Sequence, residues 1–362
     1  MPLLPDAEAF RRLVDGSARG LAPATARCLL AGLAVPYSLA VTARNAAYDR
    51  GLLPSTPAAA PVVSVGNLTL GGTGKTPLVA WVVRTLAAHG RRPAIVSRGY
   101  GARRGERSDE AAELALLLPG VPHLADRDRV AAARAATALG ADVVVLDDGF
   151  QHRRLARDLD IVAIDATDPF GSGRIFPRGL LREPLAGLRR AHAVVLTRAS
   201  SVDVDRRVEI RRRCAAACGA ALPQVWAEAR HHPVRLRSAG GDERPLTALA
   251  AARVAAFTGI GNPAAFRGSL ESCGADVAGF RSFPDHHHYT AADLDAVGTW
   301  AAGLRADLVV TTLKDLVKID RESLAGVPLL AIEIALDVLT GGDLLTAAVV
   351  RAANRAGGEP SA

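Results

Sequence analysis

Thr69-Leu-Gly-Gly-Thr-Gly-Lys-Thr76 lies between a β-branched apolar run, Val62 to Val65, and a helical pattern, Pro77 to His89, that carries proline in its first turn. A strand, a glycine loop and a helix in that order form a phosphate loop. The glycines let backbone N–H groups close around phosphate oxygens, and the helix N-terminus adds its dipole. Lys75 is placed to reach the β- and γ-phosphates, and the Thr76 hydroxyl to ligate Mg2+. The nucleotide-binding stretch is therefore Thr69, Leu70, Gly71, Gly72, Thr73, Gly74, Lys75 and Thr76, although Thr69 stands where the usual pattern has glycine.

Further along the chain, short aliphatic runs alternate with helical patterns: Pro93 to Val96, a helix from Asp126 through Ala138, then Val143 to Leu146, Ile161 to Ile164 and Ala193 to Leu196. Continuous apolar strands separated by helices predict a parallel sheet covered on both faces. Val143-Val-Val-Leu-Asp-Asp148 ends such a strand in two carboxylates, where an acid meets Mg2+ at the sheet's carboxyl edge; Asp147 and Asp148 are the candidates. Leu70 occupies the place where dimerising partition-type ATPases carry a second lysine. Val317-Lys-Ile-Asp320 only approximates the guanine-reading element of GTPases, so ATP is the expected nucleotide.

The remaining texture predicts an α/β protein in which this phosphate-loop NTPase-like sheet is joined by a strand-like connector to a second, smaller α/β domain. The expected segments are 1–60, an N-terminal helical segment; 61–222, the nucleotide domain; 223–248, the connector; 249–330, the second domain; and 331–362, a return strand and a last helix. Ala331 to Leu339 alternates as the connector does and is expected to pair with it.

The chain has 362 residues, a formal net charge of +7 and an apolar fraction of 49%, enough for two cores. Aromatic residues make up only 4%, and no basic stretch interleaves with them, which argues against nucleic acid as a partner. Cys28, Cys214, Cys218 and Cys273 lack the spacing of a zinc site and read as reduced thiols. Of 44 basic residues only Lys75, Lys314 and Lys318 are lysine. A compact ammonium is not replaceable by arginine where it acts as a point charge.

Residues 28–43 carry no charge and are flanked by Arg19, Arg27, Arg44 and Arg50. The run is shorter than the ~20 residues that span a bilayer, and Pro36 is expected to interrupt it. It suits either a buried helix or one lying in the headgroup plane of an anionic leaflet. Acidic Asp6, Glu8 and Asp15 exclude an export signal over residues 1–16.

Taken together, Ser64-Val-Gly-Asn-Leu-Thr-Leu-Gly-Gly-Thr-Gly-Lys-Thr-Pro77, Ser97-Arg-Gly-Tyr-Gly101, Asp147-Asp-Gly-Phe-Gln-His152, Phe176-Pro-Arg-Gly-Leu-Leu-Arg-Glu-Pro184, Phe257-Thr-Gly-Ile-Gly-Asn-Pro263, Phe283-Pro-Asp-His-His-His288 and Thr311-Thr-Leu-Lys-Asp315 resemble the tetraacyldisaccharide 4'-kinase family, the lipid A 4'-kinases of Gram-negative bacteria. The resemblance implies transfer of the ATP γ-phosphoryl group, with Mg2+, to the 4'-hydroxyl of a tetraacylated glucosamine disaccharide 1-phosphate, the lipid A precursor. It also implies a peripheral or monotopic seat on the anionic cytoplasmic face of the inner membrane, which favours the interfacial reading of residues 28–43. No obligate protein partner is expected.

By the same resemblance, Asp109 of Ser108-Asp-Glu-Ala111 is the general base, although the flanking Gly and Pro of the family segment are absent. His286 is its expected partner, with His287 and His288 as alternatives, and domain closure is expected to assemble the site. Lys75 and Asp148 complete the catalytic set, and Glu183 joins Thr76, Asp147 and Asp148 on the metal side. Arg178, Arg182 and Gln151 are the substrate-side candidates. Two other classes stay in view: a different phosphate-loop enzyme using GTP, and a nucleotide-dependent membrane adaptor with no phosphoryl acceptor.

Overall fold

A computed structural model describes residues 7–99, 108–219, 223–250, 252–285 and 287–355. Its strands are β1 (Val62–Asn67), β2 (Pro93–Ser97), β3 (His123–Ala125), β4 (Val143–Asp147), β5 (Leu159–Asp165), β6 (Ala193–Thr197), β7 (Val225–Arg237), β8 (Glu243–Arg244), β9 (Arg253–Thr258), β10 (Asp276–Ser282), β11 (Leu308–Thr312), β12 (Ser323–Leu324) and β13 (Val327–Thr340). The chain divides into two compact units. The first comprises Met1–Gly99, Gly120–Arg230 and Leu336–Ala362; the second comprises Tyr100–Pro119 and His231–Ala335.

In the first unit the strand order is β7-β6-β5-β1-β4-β2-β3, and each of these pairs is parallel. Strands β1, β2, β4, β5 and β6 are buried at every position. Such strands need cover on both faces, which explains the unbroken apolar runs. Val62, Val144 and Leu146 pack on Val130, Ala133 and Ala136 of the helix Arg129–Ala138. Val162, Ile164, Val194 and Leu196 pack with Ile210 and Cys214 of the helix Val204–Ala217. Each fully buried valine, leucine or isoleucine among them contributes roughly 1.5–3 kcal/mol. Asp128, two residues beyond the expected start, caps Arg129–Ala138 by accepting from the N–H groups of Val130 and Ala131.

The first unit also takes in the N-terminal helices and the last helix, Gly342–Ala353, rather than leaving them as separate segments. Leu21–Asp49 is one helix of 29 residues that passes through Pro36, so the expected interruption does not occur. The carbonyl facing the proline ring is that of Gly32, and this stretch of the helix lies open to solvent. Its buried residues are Val41 and Asn45, while Leu29, Leu33 and Leu39 are 67%, 60% and 66% exposed. By length and composition the helix could cross a membrane.

The second unit is a smaller α/β sheet in which β9 pairs in parallel with both β10 and β11, and β11 with β13. Val254, Ala256, Val310 and Leu330 form its core with Phe266 and Leu270 of the helix Pro263–Ser272. Strands β7 and β13 neighbour each other, as the alternating patterns predict, and both carry the chain from one unit to the other. The helix Asp109–Leu117 belongs here and not to the nucleotide domain, although it falls within the expected 61–222 segment.

Candidate active site

The phosphate loop leaves β1 at its carboxyl end. Gly71 and Gly74 have φ of 107° and 77°, the left-handed region that a side chain seldom enters, and Gly74 caps the helix Lys75–Ala88. A Cβ on Gly71 would also lie 2.5 Å from Nη2 of Arg11, which reaches the loop from the helix Ala7–Asp15. Thr69 has no such constraint. Its backbone bridges Leu181, and the Leu70 N–H donates to the Leu180 carbonyl, so this position has no need of glycine.

Register places the acids beside the loop: Val65 on β1 is opposite Asp147 on β4. Asp147 is buried, with 4% exposure. Asp148 turns out of the strand with φ 53°. Lys75 Nζ lies 3.2 Å from Asp148 Oδ1 and donates to Asn67 Oδ1 at 3.3 Å. Arg182 Nη1 contacts both Asp148 oxygens at 2.8 Å. Burial pushes the Asp148 carboxyl pKa upward, but Lys75 and Arg182 outweigh it and hold the group well below the usual carboxylate range. Arg129, only 4% exposed, donates to the Asp148 carbonyl. Asn67 ties the loop together by donating to the Thr69 carbonyl and the Thr73 hydroxyl.

Glu183 differs from its expected role. It is fully buried, and its oxygens accept from Arg190 Nη2 at 3.1 and 3.0 Å, Gln151 Nε2 at 3.0 Å and Asn45 Nδ2 at 2.8 Å. With no exposed surface and both oxygens held by protein donors, Glu183 is placed as an anchor, unlike Asp148, which is also paired but 32% exposed. Gln151 also donates to the Asn67 carbonyl, which links this anchor to the phosphate loop. Arg178 donates to the Val14 carbonyl and so holds the N-terminal helix; it is not among the groups gathered around Asp148.

The oxygen donors of Thr76, Asp147 and Asp148 suit a hard cation such as Mg2+. Among the described residues no group of three or more His, Cys, Asp and Glu forms a ready cage. That fits Mg2+, which takes one or two carboxylates and completes its shell with phosphate oxygens and water. The cysteines are free, and burial pushes the Cys214 thiol up to about 12, as inert structural thiols require.

In the second unit, Asp109 opens the helix Asp109–Leu117 behind the Ser108 cap, and Lys318 Nζ stands 3.9 Å from its Oδ2. His286 lies outside the described residues. Of its alternatives, His287 Nε2 contacts Asp293 Oδ2 at 3.1 Å and stacks on Phe283, a placement that serves the cap of the helix Ala291–Gly303. Lys314 pairs with Asp285 at 3.1 Å.

Asn67, Arg129, Arg190, Asn45 and Arg11 enter the first-unit network without having been singled out in the sequence. Asn67 alone had a local signal, as the polar end of an otherwise apolar strand ahead of the loop.

A family model described as tetraacyldisaccharide-1-P 4'-kinase matches residues 26–350. A tetraacyldisaccharide 4'-kinase of Anaeromyxobacter dehalogenans (strain 2CP-C) is 46% identical over 338 residues, 87% of each chain. One from Geobacter metallireducens is 41% identical over 309 residues, 80% of this chain and 88% of the other. The crystal structure of LpxK from Aquifex aeolicus in complex with ATP superposes with a TM-score of 0.71 at 29% identity, covering 90% of this chain and 99% of that one.

Proposed function

The chain belongs to the tetraacyldisaccharide-1-P 4'-kinase family, and from that membership we propose how its own residues share the work. It is an ATP-dependent kinase of lipid A biosynthesis that phosphorylates the 4'-hydroxyl of a tetraacylated glucosamine disaccharide 1-phosphate. Phosphoryl transfer demands positioning and charge neutralisation more than covalent chemistry. Lys75 and the backbone amides from Thr69 to Thr76 hold the phosphates. Asp148 aligns Lys75 and Arg182, two cations that the transferring group needs, and the single observation carrying this role is its contact with both, at 3.2 and 2.8 Å. Thr76, Asp147 and Asp148 offer the oxygens for Mg2+, which when bound neutralises phosphate charge. Glu183 keeps Gln151 and Arg190 in place and acts through them.

Asp109 Oδ2 takes the proton of the 4'-hydroxyl as that oxygen bonds to the γ-phosphorus, and the bond to the bridging oxygen of ADP breaks. His286 remains the proposed partner of this base. Arg182 and Gln151 face the transferred group and the acceptor, while Arg178 supports them by fixing the N-terminal helix.

The enzyme sits peripherally or monotopically on the anionic cytoplasmic face of the inner membrane. The open apolar face of Leu21–Asp49 and its flanking arginines support this seat.

Incubation of the purified protein with Mg-ATP and the disaccharide 1-phosphate should yield, by mass spectrometry, a lipid carrying one added phosphate. Preference for GTP would favour another phosphate-loop enzyme, and ATP hydrolysis without labelled lipid would favour the adaptor reading.

A further inference from the structure

Lys318 is 7% exposed and lies in a chain that otherwise meets nearly every need for positive charge with arginine. Its ammonium donates to Asp315 Oδ1 at 3.0 Å and to the His287 carbonyl at 3.1 Å, and the Tyr289 ring lies beneath it, 5.3 Å from Nζ to the centroid. Asp315 is itself fully buried and immobilised: its Oδ2 accepts from the Thr258 hydroxyl at 2.9 Å, the Gly259 N–H at 3.0 Å and the Thr312 hydroxyl at 2.7 Å. Asp109 Oδ2 stands 3.9 Å from the same ammonium, within ion-pair reach though beyond a hydrogen bond.

We propose that Lys318 is a positioning residue for Asp109, fixed from behind by Asp315 and the His287 carbonyl so that its remaining charge holds the base carboxylate in the direction from which it takes the acceptor proton. The inference rests on Asp109 being that base. Lys318 exchanges no proton. The proton passes from the sugar hydroxyl to Asp109, and Asp315 keeps the ammonium paired before and after the transfer. Arginine does not fit the same seat: a planar fork is too large to donate to the Asp315 carboxylate and the His287 carbonyl around one point and keep its charge within ion-pair reach of Asp109, as a compact ammonium does. This accounts for lysine at this position.

The test is a double-mutant cycle with Lys318→Arg and Lys318→Gln, each alone and with Asp109→Asn, read as kcat, KM for ATP and melting temperature. Lys318→Gln leaves Asp315 uncompensated, and if it does not fold, Lys318→Arg carries the test. The expected result is a folded Lys318→Arg enzyme with kcat lowered by about tenfold or more, since small misplacements of a reacting group are costly, and with KM for ATP unchanged. In the Asp109→Asn background the same substitution should cost nothing further. A wild-type kcat in Lys318→Arg, a raised KM for ATP, or losses that multiply across the cycle would overturn the inference while leaving the base assignment intact. An Asp109→Asn enzyme within about threefold of wild type would overturn the base assignment, and the role of Lys318 with it.

Discussion

Replacing Glu183 with alanine removes the carboxylate partner of a part-buried guanidinium, Arg190, takes the acceptor from Asn45 and leaves Gln151 only the Asn67 carbonyl. Breaking a fully buried pair costs about 3–5 kcal/mol, and because Arg190 keeps 16% of its side chain in solvent the loss falls at or below the low end of that range; the denaturant midpoint should drop, while the Mg2+ dependence of the surviving activity stays as in the parent. A shifted Mg2+ requirement without loss of stability would return Glu183 to the metal. His152 carries a prediction of opposite kind. Burial, then Arg129, Arg157 and Arg154, push its pKa down from 6.5 to about 4. Between those values the unfolded chain binds a proton that the folded chain refuses, so stability declines as pH falls from 6.5 to 4. His152→Gln should flatten that part of the stability profile, as measured by urea unfolding at several pH values. Residues of the phosphate loop and of the Asp147–Asp148 turn were legible in the sequence because each motif is local, its chemistry written within ten positions. The protein donors on Glu183 were not legible, because its partners Asn45 and Arg190 are assembled only by the fold, and sequence spacing cannot tell a carboxylate aimed at a metal from one aimed at a guanidinium.

At the scale of elements, the helix Leu21–Asp49 joins two roles on one rod. Its outer face exposes Leu29, Leu33 and Leu39, while its inner face gives Tyr37 to the Arg182 carbonyl at 3.0 Å and Asn45 to Glu183. Removing the whole segment would therefore damage the site along with any lipid contact. The informative variant is Leu29→Gln, Leu33→Gln and Leu39→Gln together: exposed substitutions cost about 0.5 kcal/mol or less each, so the melting temperature should hold while cosedimentation with anionic vesicles drops. Undiminished cosedimentation would remove this face from the membrane reading. The sequence showed the apolar run but not its length as a helix, because Pro36 counts as a breaker wherever the chain is read locally. Here the carbonyl that meets its ring belongs to a glycine on the open side.

For the molecule as a whole, the residues of the proposed chemistry fall in both units: Lys75, Asp147 and Asp148 in the first, Asp109 and Lys318 in the second. Lys75→Ala should weaken ATP binding and lower kcat by about 100-fold or more. Asp109→Asn should lower kcat by roughly 10²–10⁴ and leave the Kd for ATP, measured by titration calorimetry, where it was. Weakened ATP binding in the second variant would defeat this division. Alternating runs and glycine turns made both sheets legible. The assignment of Asp109–Leu117 to the second unit was not, since its contact with Lys318 spans most of the chain and no neighbouring residue announces it.

The hydroxyl of Tyr37 and the amide of Asn45 also bear on how this enzyme must be assayed. On the membrane seat proposed above, a rod whose outer side meets lipid and whose inner side holds the Arg182 carbonyl and Glu183 makes the surrounding amphiphile part of the reaction conditions. Turnover recorded in detergent micelles and in bilayers should then differ in kcat itself, beyond any difference in how much substrate is presented, and rates from the two settings are not interchangeable.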